Sequence, residues 1–368
     1  MDLYIIWFLL LLGSYFLILF WYMHFSFKKD FINNIFGFGA LLFTFINVLL
    51  VMLLMNQDPT LYIDIIPMFS YTLSLPILII GLVIIISTII VFLIKKIALN
   101  RDFNQFWLRV EESSKNRSKI MRDTLRKIPH VIMFIGLFIM WYIGTVFVID
   151  FSGSTSGMIP EINDMARLYF GLIMNPNNIR DVLFSLGWFY YLLFFFFYCL
   201  NLIMLANEFT RKTALFAFPF NFVCRIFFSE EEKLNYGAYL YFTLGQMFAA
   251  FITPPMVFFA ILGISSISDL LTSQIGIRYG KTKIKWNQEK SWQGTIAGTI
   301  SCFIISFLFM GFNWAVIFTL FFLIFDVITN KPLKLSDNLL LPIGLGLVYT
   351  VIEFLFRLEM FTIFLIWI

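Results

Sequence analysis

The sequence predicts an all-α fold, namely a polytopic α-helical integral membrane protein with about ten transmembrane helices. Of the 368 residues, 60% are hydrophobic and 13% are charged, which leaves too little polar surface to cover a water-soluble globule. Apolar runs of about 17 to 25 residues, the length that crosses a bilayer core, recur from end to end of the chain. Lysine and arginine are concentrated between alternate runs, as in multi-pass membrane proteins.

The apolar runs place the predicted spans, with boundaries good to about 2 to 4 residues. The spans cover residues 3–27, 35–55, 67–94, 131–150, 182–206, 236–252, 255–276, 294–311, 313–329 and 338–356. The two spans around Pro254 and Pro255 could be drawn as one long helix. Consecutive prolines remove backbone donors and disfavour helix at the preceding residue, so the sequence predicts a hairpin there.

The positive charges give the orientation of the chain. With the N-terminus outside, all of the 26 Lys and Arg residues except Arg167, Arg180 and Arg357 fall in cytoplasmic segments. Without the break at Pro254 and Pro255, the lysine-rich segment after Arg278 would lie on the opposite side. The charge pattern therefore supports the break.

Two segments do not read as regular spans. Residues 96–128 are polar and strongly basic with an early apolar cluster, which is typical either of an amphipathic helix at the inner headgroups or of a solvated cytoplasmic loop. Residues 214–228 are apolar but short and contain Pro219, which favours an interfacial or re-entrant segment.

The residues that indicate chemistry begin at Asp269, near the inner end of an apolar helix. An ionisable residue at that depth is costly and indicates a function, although a carboxylate that reaches the interface or pairs with a loop lysine is the alternative. Glycines and cations that suit a polyphosphate follow it, namely Gly276, Arg278, Gly280, Lys281, Lys283, Lys285 and Lys290. The next helix then opens with Ser291, Trp292, Gln293, Gly294 and Thr295. Its free N–H groups and dipole predict an anion site directly after the lysines, and so a nucleotide-binding segment.

The same glycines allow a second interpretation. Gly276 with Gly280, and Gly294 with Gly298, have the small-xxx-small spacing of closely packed membrane helices. A basic cytoplasmic loop is also ordinary in membrane proteins. The order in which these features follow one another favours phosphate binding.

Two further acidic residues fall on the same side of the membrane as Asp269. Asp337, followed by Asn338, opens the last clear span, and Asp326 lies at the inner end of the span before it. Asp269 and Asp337, with Asp326 as a possible third, are candidate Mg²⁺ ligands because this ion binds one or two carboxylates together with phosphate oxygens. Asp337 also suits a helix N-cap, and the two roles are compatible.

At this window the sequence resembles the membrane prenol kinases, comprising dolichol kinases and phytol kinases, which are related to phosphatidate cytidylyltransferases. The shared pattern is matched by Asp269, Gly276, Tyr279-Gly280-Lys281, the run from Lys290 to Thr295, and Asp337-Asn338 before Pro342. An Arg-Lys-x-x-His pattern is matched by Arg126, Lys127 and His130. Gln293 departs from the family, which usually has Glu at that position. The resemblance covers about residues 122–356 and is specific from 268 to 342.

The resemblance implies transfer of the γ-phosphoryl group of CTP to the hydroxyl of a polyprenol at the inner membrane face. Asp269 and Asp337 would hold Mg²⁺, Lys281, Lys290 and the amides around Gly294 would bind phosphates, and Arg126, Lys127 and His130 would line the approach of the lipid. The implied divisions are 1–95 for N-terminal transmembrane helices, 96–130 for the basic cytoplasmic segment, 131–356 for the membrane catalytic domain, and 357–368 for an apolar tail. The expected location is the cell membrane, or the endoplasmic reticulum of a eukaryote, with the site facing the cytoplasm and no nucleic-acid partner.

Two alternative functions stay open at this point. In cytidylyl transfer, phosphatidate would attack the α-phosphorus of CTP, and the sequence of residues 290–294 slightly favours this reaction. A lipid transporter or scramblase would carry charged residues inside several spans and paired broken helices, and mid-span charges are nearly absent here. The lipid alcohol, the preference for CTP over ATP and the oligomeric state do not follow from the sequence.

Overall fold

The computed structural model describes residues 3, 6–11, 13–14, 31–55, 65–94, 112, 117–152, 187–212, 236–361 and 363. Most of the predicted span 3–27, most of the basic segment 96–128 and all of the segment 214–228 lie outside these residues. Predictions for those segments therefore stay predictions.

The described chain is built almost wholly of apolar helices. They are α1 (Phe31–Met55), α2 (Ile65–Phe92), α3 (Lys119–Ser152), α4 (Gly187–Lys212), α5 (Ala238–Ile252), α6 (Pro255–Gly263), α7 (Asp269–Tyr279), α8 (Trp292–Met310), α9 (Phe312–Ile328) and α10 (Asp337–Phe356). Within this part of the chain, five helical segments are long and apolar enough to cross a membrane, and four shorter apolar helices accompany them. The all-α, membrane-embedded class is thus supported, while the count of ten spans is not confirmed.

Helix α8 shows how the helices divide between core and lipid. Ile296, Ile300 and Ile304 recur every four residues and are each more than half exposed, so they form an outward apolar stripe. Ser301, Cys302 and Ile305 on the opposite side are buried. An apolar stripe of this kind is stable in lipid and costly in water.

The predicted break at Pro254 and Pro255 is confirmed. Helix α5 ends at Ile252, Thr253 is extended with φ −124° and ψ 150°, and Pro255 is the first residue of α6. Proline suits this first position because its missing N–H would have no partner inside the helix. Helices α6 and α7 are joined by a π-helical segment, Ile264–Ser268, so that Pro255–Tyr279 forms one continuous span.

Helix α3 begins earlier than predicted. Lys119 is already helical, so residues 119–130 of the basic segment continue directly into the span that was predicted from residue 131. Arg126, Lys127 and His130 therefore lie on a membrane helix rather than in a separate surface segment. Lys127 contacts α7 through Asp269, and His130 contacts α5 through Phe242.

A short β-hairpin interrupts the all-α pattern. Strands β1 (Lys283–Ile284) and β2 (Asn287–Ser291) pair antiparallel in the segment predicted as a basic loop. The side chain of Asn287 is buried and its Nδ2 donates to the carbonyl oxygens of Val327, at 3.2 Å, and Thr329, at 2.6 Å. The hairpin is thereby fixed to the end of α9 and positions Lys290.

Small residues at the small-xxx-small spacing allow α7 and α8 to pack closely together. A Cβ atom at Gly294 would overlap the carbonyl oxygen of Thr272, and one at Gly298 would overlap the hydroxyl of the same residue. These two glycines therefore act in helix packing, as the second interpretation of the spacing predicts. Gly276 lies at the same interface, with its Cβ position 3.2 Å from Ser291 Oγ.

Candidate functional site

Predicted site residues from five elements meet at one end of the bundle. Their ionisable members, which we call the buried charge cluster, are Lys127 on α3, Asp269 on α7, Lys290 on β2, Asp326 on α9 and Asp337 on α10. The side chains of Lys127, Asp269, Lys290 and Asp326 are between 1% and 16% exposed, and Asp337 is half-buried.

Lys127 and Asp269 form a buried ion pair between α3 and α7. Lys127 Nζ lies 2.8 Å from Asp269 Oδ2 and donates to the backbone carbonyl oxygen of the same residue at 2.9 Å. Asp269 is the first residue after the π-helical segment, where the carbonyl ladder is locally shifted. Such segments are frequent at functional sites because they re-aim side chains and backbone groups.

Asp326 has partners for both carboxylate oxygens. Lys290 Nζ donates to Oδ1, and Thr295 Oγ1 donates to Oδ2 at 2.6 Å. The hydroxyl of Thr329 donates to the backbone carbonyl oxygen of Asp326 at 2.9 Å. Asp326 therefore holds Lys290 in position and ties the start of α8 to the end of α9.

Asp337 opens α10 and lies within electrostatic range of Lys290, Lys127 and Arg126. It is not the N-cap, because Ser336 occupies that position, although a carboxylate in the first turn still favours the helix dipole. Burial lowers the pKa of Lys290, but the carboxylates of Asp326, Asp337 and Asp269 more than offset this, so the pKa lies above its ordinary value. Lys290 is therefore a permanent cation at neutral pH.

The three predicted metal ligands do not meet around one point. In the part of the chain that the structure describes, no group of three or more His, Cys, Asp or Glu residues is close enough to hold a metal ion. Lys290 and Thr295 contact both carboxylate oxygens of Asp326, whose place in the predicted ligand set stays a prediction. Asp269 and Asp337 interact electrostatically, and two carboxylates fit Mg²⁺ where phosphate oxygens supply the other ligands.

The start of α8 is less open to an anion than predicted. The N–H of Gly294 donates to the Ser291 hydroxyl at 3.3 Å, and the N–H of Trp292 donates to the carbonyl oxygen of Thr282 at 3.0 Å. Ser291 is thus a side-chain N-cap, and two N–H groups expected to face a phosphate already have partners. Helix α8 can offer a phosphate only its other first-turn N–H groups.

Gln293 forms hydrogen bonds with Thr282, the residue directly before the hairpin. Its Oε1 accepts from the N–H of Thr282 at 3.2 Å, and its Nε2 lies 3.2 Å from the Thr282 hydroxyl. These contacts are made at the surface and involve no member of the buried charge cluster. A role of Gln293 in binding a metal ion finds no support in these contacts.

The remaining predicted cations stand outside the buried charge cluster. Arg278 and Lys281 are exposed, as are Lys283 and Lys285 on the hairpin and the turn that follows its first strand. Gly280 lies against Gly276 and Ser291, so its backbone belongs to the contact between α7 and the hairpin. The predicted nucleotide segment therefore separates into a buried lysine, Lys290, and an exposed basic edge.

The predicted lipid-approach residues line α3 beside the cluster. Lys127 is part of it, Arg126 interacts electrostatically with Asp337, and His130 stacks on Phe242 of α5 with ring centroids 3.7 Å apart. His130 is buried. Asn338 donates its N–H to the carboxylate of Asp337 at 3.0 Å, which fixes the first turn of α10.

Sequence reasoning missed several residues that hold these elements together. Asp123 accepts from Ser273 Oγ at 2.6 Å and Gln274 Nε2 at 2.8 Å, joining α3 to α7 one turn before Lys127. Asn33 on α1 accepts from the N–H of Ser336 at 2.6 Å and so anchors the start of α10. The four-residue spacing of Asp123 and Lys127 was the available signal for the first, whereas the Asn33 contact spans most of the chain and left no local pattern.

Comparisons with family models, with curated proteins and with solved structures found no match.

Proposed function

We propose that the chain is a CTP-dependent lipid kinase that transfers the γ-phosphoryl group to the hydroxyl of a membrane polyprenol of the dolichol type. The observation that carries this proposal is the buried charge cluster, which places two lysines and three carboxylates at one end of a bundle of apolar helices. Charges are expensive to bury and are kept where they act on a substrate.

The chemistry needs charge neutralisation and alignment more than covalent catalysis. The alcohol oxygen forms the new bond to the γ-phosphorus, the bond from that phosphorus to the β-phosphate oxygen breaks, and CDP leaves. Lys127 and Lys290 would neutralise the phosphate oxygens. Each already faces a carboxylate, so both are held in place before a nucleotide arrives.

In this proposal Asp337 accepts the proton of the alcohol. Among the described residues it forms no ion pair with a lysine or arginine, whereas Asp269 is paired to Lys127 and Asp326 to Lys290. Asp269 and Asp337 would hold Mg²⁺, which, when bound, neutralises charge on the transferring phosphate. The exposed basic edge at Arg278, Lys281 and Lys283 suits the outer phosphates and entry of the nucleotide from water.

The proposal is tested with the full-length protein in lipid vesicles, given Mg²⁺, a mixture of polyprenols and phosphatidate, and CTP labelled at either the α or the γ phosphorus. Label that reaches the organic phase only from the γ position supports the kinase. Label from the α position overturns it in favour of cytidylyl transfer, and label from neither position overturns it in favour of a non-catalytic protein such as a transporter or scramblase.

A further inference from the structure

Several buried side chains in the described part of the protein carry polar atoms without a hydrogen-bond partner, including three that come from α3, α5 and the π-helical segment. These three are His130 at Nδ1, Ser266 at Oγ, and Gln246 at both Oε1 and Nε2. Their exposures are 8%, 1% and 0%. Buried polar atoms nearly always have partners, so four unpartnered atoms in one region indicate a group that binds there.

The register of α3 against α6 and α7 brings His130 and Ser266 together. The two segments run antiparallel, so partner positions fall along one as they rise along the other. The contacting pairs are Asp123 with Ser273, Lys127 with Asp269, and Phe134 with the Cβ position of Gly263. In this register His130 lies level with Ser266, which belongs to the π-helical segment that ends just before Asp269.

Gln246 reaches the same region from α5. It lies four residues after Phe242, whose ring stacks on His130, so both side chains are on one face of the helix. The neighbouring residue Gly245 contacts Asn338 and Pro342, directly after Asp337. His130, Ser266 and Gln246 therefore form a polar region that we call the uncharged subsite. It lies about one helical turn, or roughly 5 Å, further into the bundle than Lys127.

The chemistry of the uncharged subsite selects a neutral ligand. Its members offer an amide that both donates and accepts, a hydroxyl and an imidazole nitrogen, and none of these is a carboxylate, a lysine or an arginine. A phosphate bound at the uncharged subsite would lose its contacts with the lysines of the buried charge cluster. A hydroxyl, in contrast, could donate to one of these atoms and accept from another. The helices around it are apolar, which suits a long hydrocarbon chain.

We infer that His130, Ser266 and Gln246 bind the hydroxyl of a membrane lipid alcohol and hold it one turn from Lys127 and Asp269. That this hydroxyl is the phosphoryl acceptor rests on the proposed function. Its binding does not, because the uncharged subsite recognises an alcohol whether or not a nucleotide is present.

The test uses the full-length protein in detergent without nucleotide and measures the unfolding temperature with a long-chain polyprenol or with the same hydrocarbon lacking its hydroxyl. Only the alcohol should stabilise the wild-type protein. Gln246→Leu and Ser266→Ala should each weaken apparent affinity for the alcohol about tenfold, the factor expected for one hydrogen bond. Without ligand these variants should unfold at or above the wild-type temperature, since each removes an unpartnered buried polar group.

Ser74→Ala is the matched control, because Ser74 on α2 is also fully buried with an unpartnered hydroxyl. It should keep the wild-type preference for the alcohol. Equal stabilisation of the wild-type protein by alcohol and hydrocarbon overturns the inference, as does an unchanged preference in both Gln246→Leu and Ser266→Ala. Either outcome assigns these atoms to a structural role such as binding buried water.

This experiment also separates the inference from the proposed function. A protein that prefers the alcohol in the unfolding measurement but transfers no label from CTP keeps the uncharged subsite and loses the kinase. A protein that transfers γ-label but shows no preference for the alcohol keeps the kinase and loses this subsite.

Discussion

The amine of Lys127 lies 2.8 Å from the carboxylate of Asp269 and also donates to the carbonyl oxygen of that residue, at 2.9 Å. Lys127 thus binds both the side chain and the backbone of Asp269, the residue at which the π-helical segment meets α7. The ion pair fixes α3 against α7 and, in the proposed function, holds a cation and a carboxylate ready for the nucleotide.

Lys127→Met should destabilise the protein by about 3 to 5 kcal/mol, since removing one partner leaves a buried carboxylate uncompensated. The double variant Lys127→Met with Asp269→Asn should recover most of that loss because no lone charge remains, yet stay inactive. Thermal unfolding in detergent and label transfer from CTP measure the two effects. Recovery of activity together with stability in the double variant would show that the pair is only structural.

Asp326 and Asp337 should differ in their response to Mg²⁺. Asp326→Asn disturbs Lys290 and Thr295, so it should raise KM for the nucleotide while the Mg²⁺ concentration at half-maximal rate changes little. Asp337→Asn should lower kcat and raise that Mg²⁺ concentration about tenfold or more. A Mg²⁺ titration of both variants measures this concentration. If it rises only in Asp326→Asn, Asp326 rather than Asp337 is the metal ligand.

Gly298→Ala should cost about 1 to 3 kcal/mol or more, because the added methyl overlaps the Thr272 hydroxyl and forces α8 away from α7. Gly136→Ala is the control. Gly136 on α3 has no atom within 4 Å of its Cβ position, so alanine there should be neutral or stabilise the helix by up to about 1 kcal/mol. Thermal unfolding measures both, and equal effects would contradict the close packing of α7 and α8.

Gln293→Glu tests the departure from the prenol kinase pattern. A glutamate can still accept from the Thr282 N–H, and the Thr282 hydroxyl can rotate to donate to it. We expect kcat/KM for CTP to stay within about threefold of the wild type and stability to be unchanged. A gain well beyond that range would place residue 293 in contact with the metal or the nucleotide, contrary to its contacts with Thr282.

The sequence predicted most of the features that depend on hydropathy and charge, namely the helix breaks and the helix bounds. The break at Pro254 and Pro255 and the bounds of α8, α9 and α10 follow from proline chemistry and apolar run length, and the structure agrees to within about 2 residues. The start of α3 was placed too late because residues 119–130 are polar, and helices that pack on other helices can extend past the apolar run. The β-hairpin was missed because its strands have only two and five residues and are mostly polar, so they lack the apolar alternation of a longer strand.

The sequence predicted which residues belong to the candidate site better than it predicted which of them pair with each other. Asp269 could be selected because an ionisable residue near the end of an apolar span is costly and therefore conspicuous. Lys290 and Asp337 were selected from the pattern of glycines, lysines and acidic residues and from the resemblance to the prenol kinases. The pairing of Lys290 with Asp326, and of Lys127 with Asp269, depends on helix register, which hydropathy does not encode. Ser266 and Gln246 were missed for the same reason, since an uncharged polar residue in an apolar run has no signal until its neighbours are known.

The most direct test of the central claim compares γ-label transfer from CTP to polyprenol by the wild-type protein and by Asp337→Asn, with thermal unfolding measured on both. We expect transfer by the wild-type protein and a loss of at least about 100-fold in the variant, the scale expected when a proton acceptor is removed. The variant should lose no more than about 1 kcal/mol of stability, the scale expected for a charge in the first turn of a helix. Transfer by Asp337→Asn at the wild-type rate, or no transfer by a folded wild-type protein, would contradict the central claim.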